Sequence, residues 1–284
     1  MVANQEGVVE TDAVPSVALP ETHGKLIIIG GAEDKEGDCR ILREFVRQAG
    51  GLQARIAVMT VATGLPGEVG AQYMGVFERL GVESVRVVDT DRREDASDPK
   101  ALETIAQATG IFFTGGNQAR ITELLKDTEL DTALHQRFAE GVVIAGTSAG
   151  AAMMPDMMIV EGESETNPRP ETVKMDQGMG FLPGVVIDQH FAQRGRLGRL
   201  LSAVAQQPVV LGFGIDENTA IVVDGSEVEI IGESSVTIVD VSNLTHNNVE
   251  ELLKDEPLAL CGVKLHILPH GYRFDLDTRS CISG

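Results

Sequence analysis

Short, wholly apolar runs alternate along this chain with stretches whose apolar residues recur at helical spacing. Lys25 to Ile29 is the first such run, closed by Gly30-Gly31, and Asp38 to Gln48 follows with a helical pattern. The unit then repeats. Arg55 to Thr60 reads as a buried strand, Val69 to Leu80 as a helix, Ser84 to Asp89 as a strand, and Pro99 to Ala108 as a helix opened by proline. A strand at Ile111 to Phe113 leads into a helix with Ile121, Leu124 and Leu125 on one face, then a helix from Leu130 to Ala139 and a buried strand at Val142 to Ala145. Strands that are apolar throughout must be covered on both sides, so the pattern predicts an α/β fold with a mostly parallel central sheet and helices on both faces. Beyond residue 208 the texture changes to short strands at Val209–Phe213, Ala220–Val223, Glu227–Ile231 and Val236–Val239 with tight turns such as Asp224-Gly225. These predict an antiparallel extension of the sheet towards the C-terminus.

No Pro/Gly/Ser-rich spacer or repeat divides the chain after its start, so residues 23–284 are expected to form a single domain. Residues 1–22 are polar and contain proline, without the basic start and apolar core of a signal peptide, and read as a disordered tail. No apolar stretch approaches the roughly 20 residues that span a bilayer. Cys39, Cys261 and Cys281 are an odd number, unlike a disulfide framework, and a cytoplasmic location is expected. The formal net charge of -20 argues against nucleic acid or an anionic membrane as partner, because either needs a basic patch.

In parallel sheets of this kind ligands gather beyond the carboxyl ends of the strands, which directs attention to four loops: Gly30 to Lys35, Gly115 to Gln118, Gly146 to Gly150, and Asp216-Glu217-Asn218. Gly146-Thr147-Ser148-Ala149-Gly150 fits the G-x-S-x-G nucleophile elbow, preceded by a buried strand and followed by a segment, Ala149 to Met154, able to start a helix whose N-terminal N–H groups and dipole favour negative charge. A serine hydroxyl needs a base, and of the histidines only His190 directly follows a predicted strand, Val185 to Ile187, on the same edge as Ser148. For the carboxylate that orients the base, spacing leaves Glu217, Asp188, Asp216, Glu163 and Glu165 all open. Ala149 is the expected first oxyanion N–H donor, and Gly116, in the Gly115-Gly116 turn, a second. Arg194, Arg196 and Arg199 concentrate positive charge in an acidic chain, and guanidinium forks suit bidentate capture of carboxylates. No metal or other cofactor is expected: His266 and His270 are four apart, but Pro269 between them disfavours the helix that would align them.

The strings GTSAGA at 146–151, FFTGGNQ at 112–118, IDQHFAQRGRLGRL at 187–200, GIDENTA at 214–220 and GGAEDK at 30–35 are long and specific. From about residue 24 to its end the chain resembles the cyanophycinase family, serine peptidases related to the aspartyl dipeptidases and built on a fold similar to class I glutamine amidotransferases. The resemblance implies Ser148 as nucleophile, His190 as base and Glu217 as the third member, with Glu165 the alternate. It also implies a pocket using Gln118, Asp188, Gln189, Arg194, Arg196, Arg199 and Asn218, a cyanophycin polymer as substrate, β-Asp-Arg dipeptides as product, and a homodimer. The rival within the same chemistry is an α-aspartyl dipeptidase, which needs no arginine pocket. Glutamine amide hydrolysis usually places cysteine at the elbow, and GGAEDK lacks the spacing of either nucleotide-binding glycine motif.

Overall fold

The structure, a computed structural model, describes residues 24–207, 210–252 and 256–282. The expected tail at 1–22 lies outside them.

Five parallel strands form the middle of the fold: β1 Leu26–Ile29, β2 Arg55–Met59, β3 Ser84–Val88, β4 Gly110–Phe113 and β5 Val143–Thr147, in the spatial order β1-β5-β4-β2-β3. Four of them carry near-continuous buried residues because helices close both faces. The period-two geometry of a strand splits β1 between two cores. Leu26 and Ile28 face a cluster containing Ile105, Leu125, Leu134 and Phe138, from α3 (Pro99–Gln107), α4 (Gln118–Leu125) and α5 (Glu129–Ala139). Ile27 and Ile29 face Leu42, Phe45, Tyr73 and Phe77, from α1 (Arg40–Gln48) and α2 (Pro66–Arg79).

After β5 the chain makes a single turn of helix, α6 (Ala149–Ala152), and an antiparallel pair, β6 (Met157–Gly162) and β7 (Val173–Gln177). Next come β8 (Val185–Gln189), α7 (Leu197–Gln206), β9 (Leu211–Ile215), β10 (Thr219–Asp224), β11 (Glu227–Gly232) and β12 (Ser235–Asp240). The last elements are β13 (His246–Asn247), β14 (Leu260–Cys261), β15 (Lys264–Pro269), β16 (Arg273–Asp275) and β17 (Ser280–Ile282).

The antiparallel extension is present: β10 pairs with β1, and β11, β16 and β17 follow outward, giving a sheet of nine strands among the described residues. Two of the strands expected in it lie elsewhere. β9 and β12 build a second sheet with β8 and β15, in the order β15-β12-β9-β8. The reason is in the Leu-Gly-Phe-Gly-Ile sequence of β9. A Cβ on Gly212 would stand 2.9 Å from Val204 and 3.0 Å from Leu200, and one on Gly214 would run into the Phe191 ring. One face of β9 is therefore bare backbone against which α7 and Phe191 pack, while Leu211, Phe213 and Ile215 on the other join the main core.

Candidate active site

The carboxyl ends of β1, β5 and β8 and the turn after β9 converge, and three consecutive carbonyls from the last residue of β1 onward tie them together. Ile29 O accepts the Ser148 N–H at 3.0 Å, Gly30 O the His190 N–H at 2.8 Å, and Gly31 O the Asn218 N–H at 2.9 Å. Although β8 belongs to the second sheet, His190 thus meets the end of the first.

Ser148 has φ 52° and ψ -109°, a conformation an L-residue adopts only when its surroundings compel it. The flanking glycines are what make the turn possible: a Cβ on Gly146 would lie 2.1 Å from Gly150 O, and one on Gly150 2.5 Å from Phe113 O. The helix that follows is only four residues long, so the helix-dipole contribution expected from a longer segment is small, and local N–H groups remain to face an anion. The hydroxyl this turn presents lies 3.1 Å from His190 Nε2, and His190 Nδ1 lies 2.6 Å from Glu217 Oε1. Together these contacts take the ring as its Nδ1–H tautomer, with Nε2 open to accept the serine proton. Burial is the main cause that lowers the His190 pKa below its ordinary value. The Glu217 hydrogen bond opposes this, and the Arg194 and Arg196 charges add to it.

The carboxylates left open by spacing separate cleanly. Asp188 is fully buried and bound by Arg199, from Nε at 2.8 Å and Nη2 at 2.5 Å, and by Arg196 Nη1 at 3.3 Å. Asp216 is buried and accepts from Ala192 N, Ser234 Oγ and the Ser235 N–H and Oγ. Glu163 and Glu165 are exposed on the segment between β6 and β7, and Glu165 donates its backbone N–H to Gly195 O. Among the described residues Glu217 is the carboxylate hydrogen-bonded to the His190 ring, and its own N–H donates to Gln193 Oε1 at 3.1 Å.

Gly115 flanks the elbow: a Cβ there would lie 3.4 Å from Ser148 Cβ and 3.8 Å from Oγ. Gly116 has φ 146°, and a Cβ on it would collide with Ala62 O at 2.1 Å. Gln189 Oε1 is 3.5 Å from Ser148 Oγ and accepts from Arg196 Nη1 at 3.2 Å. Arg194 is exposed. Several residues expected in a substrate pocket are instead committed to the protein. The Asp188 carboxylate, expected in that pocket, is held by Arg196 and Arg199 of its own chain, because an isolated buried carboxylate would be too costly. Arg199 also donates to Gly162 O. Gln118 places its amide nitrogen 2.8 Å from Ile159 O and 3.0 Å from Val160 O, and Asn218 Oδ1 accepts the Asp34 N–H.

A carboxylate with no signature in the sequence, Glu33, sits beneath the elbow. Glu33, buried after β1, accepts from Thr147 Oγ1 at 2.5 Å and from Tyr73 OH, and pairs with Lys35 Nζ at 3.0 Å.

A profile described as Peptidase family S51 matches residues 26–231, which spans every element bearing Ser148, His190 and Glu217. The chain belongs to peptidase family S51. It is 40% identical over 263 residues to a cyanophycinase of Trichormus variabilis (strain ATCC 29413 / PCC 7937), covering 92% of this chain and 88% of that protein. To a cyanophycinase of Geminocystis herdmanii (strain PCC 6308) it is 41% identical over 261 residues, 91% and 96% of the two chains. The fold is similar to the crystal structure of a peptidase from an acI-B1 Actinobacterium, with a TM-score of 0.66 at 21% identity over 89% of this chain and 97% of that one. Family membership makes this chain a peptidase, and no helix among the described residues is long and apolar enough to cross a membrane.

Proposed function

We propose that the protein hydrolyses cyanophycin to β-Asp-Arg dipeptides through an acyl-enzyme on Ser148. The observation that carries this reading is the continuous Ser148–His190–Glu217 chain, at 3.1 and 2.6 Å, in a family member about 40% identical to cyanophycinases over nine-tenths of its length. Ser148 Oγ attacks the α-carbonyl carbon of an aspartyl residue while its proton passes to His190 Nε2. The N–H groups of Ala149 and Gly116 receive the charge that develops on the carbonyl oxygen. The imidazolium, steadied by Glu217, returns its proton to the departing α-amine, and water activated by the same histidine releases the acyl group.

Recognition of the repeat falls to one exposed guanidinium and to a buried excess of positive charge behind the site. Arg194 is exposed beside His190 and suits the free carboxylates of the repeat. Arg196 and Arg199 share the single carboxylate of Asp188, an arrangement that leaves one positive charge in excess behind Gln189 and favours an anion in front of it. Burial lowers the Arg196 pKa to about 10, so the guanidinium stays charged near neutrality. The same reading places the enzyme in the cytoplasm, which its three unpaired cysteines suit, and takes it as a homodimer by family resemblance.

The test compares kcat/KM on purified cyanophycin and on α-aspartyl dipeptides. Faster turnover of the polymer is the expected result; turnover of the dipeptides alone would assign the rival specificity.

A further inference from the structure

We infer that Glu33 is a positioning residue for the nucleophile, acting through Thr147 to hold Ser148 in its strained conformation. The inference rests on the serine-peptidase reading above and goes beyond the three groups that carry the proton transfer.

A buried carboxylate needs partners, and Glu33 is 3% exposed. Its two oxygens divide the work. Oε2 faces Thr147 Oγ1 at 2.5 Å, and Oε1 accepts from Tyr73 OH and pairs with Lys35 Nζ at 3.0 Å. Thr147 is the last residue of β5, immediately before Ser148, and is itself buried. Tyr73 projects from α2 and is locked among Phe77 and Phe112, with ring centroids 6.2 and 4.7 Å away. Glu33 therefore links a helix fixed in one hydrophobic core to the residue that enters the turn.

A non-glycine residue near φ 52° is strained and persists only where neighbours over-determine it. Two restraints meet at this turn. Ile29 O takes the Ser148 N–H, which fixes the backbone of the elbow from one side. The Glu33–Thr147 bond fixes the residue before it from the other, and it comes from the same post-β1 segment whose carbonyls hold His190 and Asn218. Serine and base are thus referred to one short stretch, Ile29 to Glu33. The charge of Glu33 is balanced by Lys35, and its hydrogen-bonding capacity is spent on side chains within the protein, which fits orientation better than proton transfer.

Removing the restraint lets the hydroxyl drift from the base, and misplacement by about 1 Å costs on the order of a hundredfold in rate. The probe is a fluorophosphonate, with which Ser148 Oγ forms an O–P bond, the P–F bond breaks, fluoride leaves and the serine proton passes to His190. Second-order labelling rates are compared for wild type, Glu33→Gln, Thr147→Val, Thr147→Ser and the Glu33→Gln/Thr147→Val double variant, alongside KM for cyanophycin. Glu33→Gln and Thr147→Val are expected to slow labelling about 10- to 100-fold with KM changed less than about twofold, the double variant being no slower than the worse single one. Thr147→Ser keeps the hydroxyl and is expected to restore most of the rate. A folded Glu33→Gln variant that labels at the wild-type rate would overturn the inference while leaving the nucleophile in place. Should Glu33→Gln fail to fold, equal labelling of Thr147→Val and Thr147→Ser would overturn it in the same way. No labelling of Ser148 in wild type would overturn the serine reading itself.

Discussion

His190 is pulled two ways. Burial and the charges of Arg194 and Arg196 favour the neutral ring, while the hydrogen bond to Glu217 favours the imidazolium, and the neutral form wins. A base must be unprotonated to begin the reaction, so kcat/KM is expected to hold down to pH values below the ordinary imidazole value of about 6.5 before it falls. Arg194→Met removes a charge that lowers this pKa, so the acid limb of the pH–rate profile is expected to move upward; an unmoved limb would contradict the placement of that guanidinium. Glu217→Gln keeps the size of the side chain and loses the carboxylate that selects the tautomer, and steady-state assay is expected to show a loss of about 10³- to 10⁴-fold. At this scale the sequence was informative about Ser148, whose elbow has a rigid glycine signature, and about His190. It left five carboxylates in contention because a side chain's partner is a property of three dimensions: Asp216 sits one residue from Glu217 yet spends its oxygens on Ser234 and Ser235. Glu33 escaped for a related reason. An acid in a polar loop reads as solvated until the fold buries it under Thr147.

At the scale of elements, the parallel strands were legible because burial on both faces leaves an unbroken apolar run, and their helices because amphipathic periodicity survives in isolation. The division of later strands between two sheets was not. It depends on Gly212 and Gly214 admitting α7 and Phe191, a packing of Gly212 against Leu200 and of Gly214 against Phe191 that no periodicity within the strand records. The tie between α7 and β8 is the Arg199–Asp188 pair, buried at both ends. Asp188→Asn would leave two guanidinium groups facing a neutral amide, and denaturant titration is expected to show a loss of about 3–5 kcal/mol. Just after β1, a Cβ on Gly31 would come within 2.3 Å of the His190 ring at a φ of 101°. Gly31→Ala is therefore expected to reduce kcat far more than it reduces thermal stability, as measured by parallel turnover and melting experiments.

Across the whole molecule the acidic balance sets the response to pH. Asp131 and Asp240 are held below the ordinary carboxylate value by hydrogen bonds and nearby cations that outweigh burial, and His190 is held below the ordinary imidazole value. In each case the unfolded chain takes up a proton more readily than the folded one, so stability is full above the unfolded values and is lost as pH falls. Melting temperature is expected to decline first below about pH 6.5 and more steeply below about pH 4, with no matching decline just above neutrality. The arrangement of one long sheet and one short about a shared core serves the site by bringing the end of β8 against the ends of β1 and β5, so that nucleophile and base stand on different sheets and meet at a shared backbone anchor. The most direct test of that arrangement as a peptidase is release of β-Asp-Arg dipeptide from purified cyanophycin by wild type, Ser148→Ala and Glu217→Gln. Release by wild type, none detectable from Ser148→Ala and a severely slowed rate from Glu217→Gln is the expected result; undiminished release by folded Ser148→Ala would contradict the account.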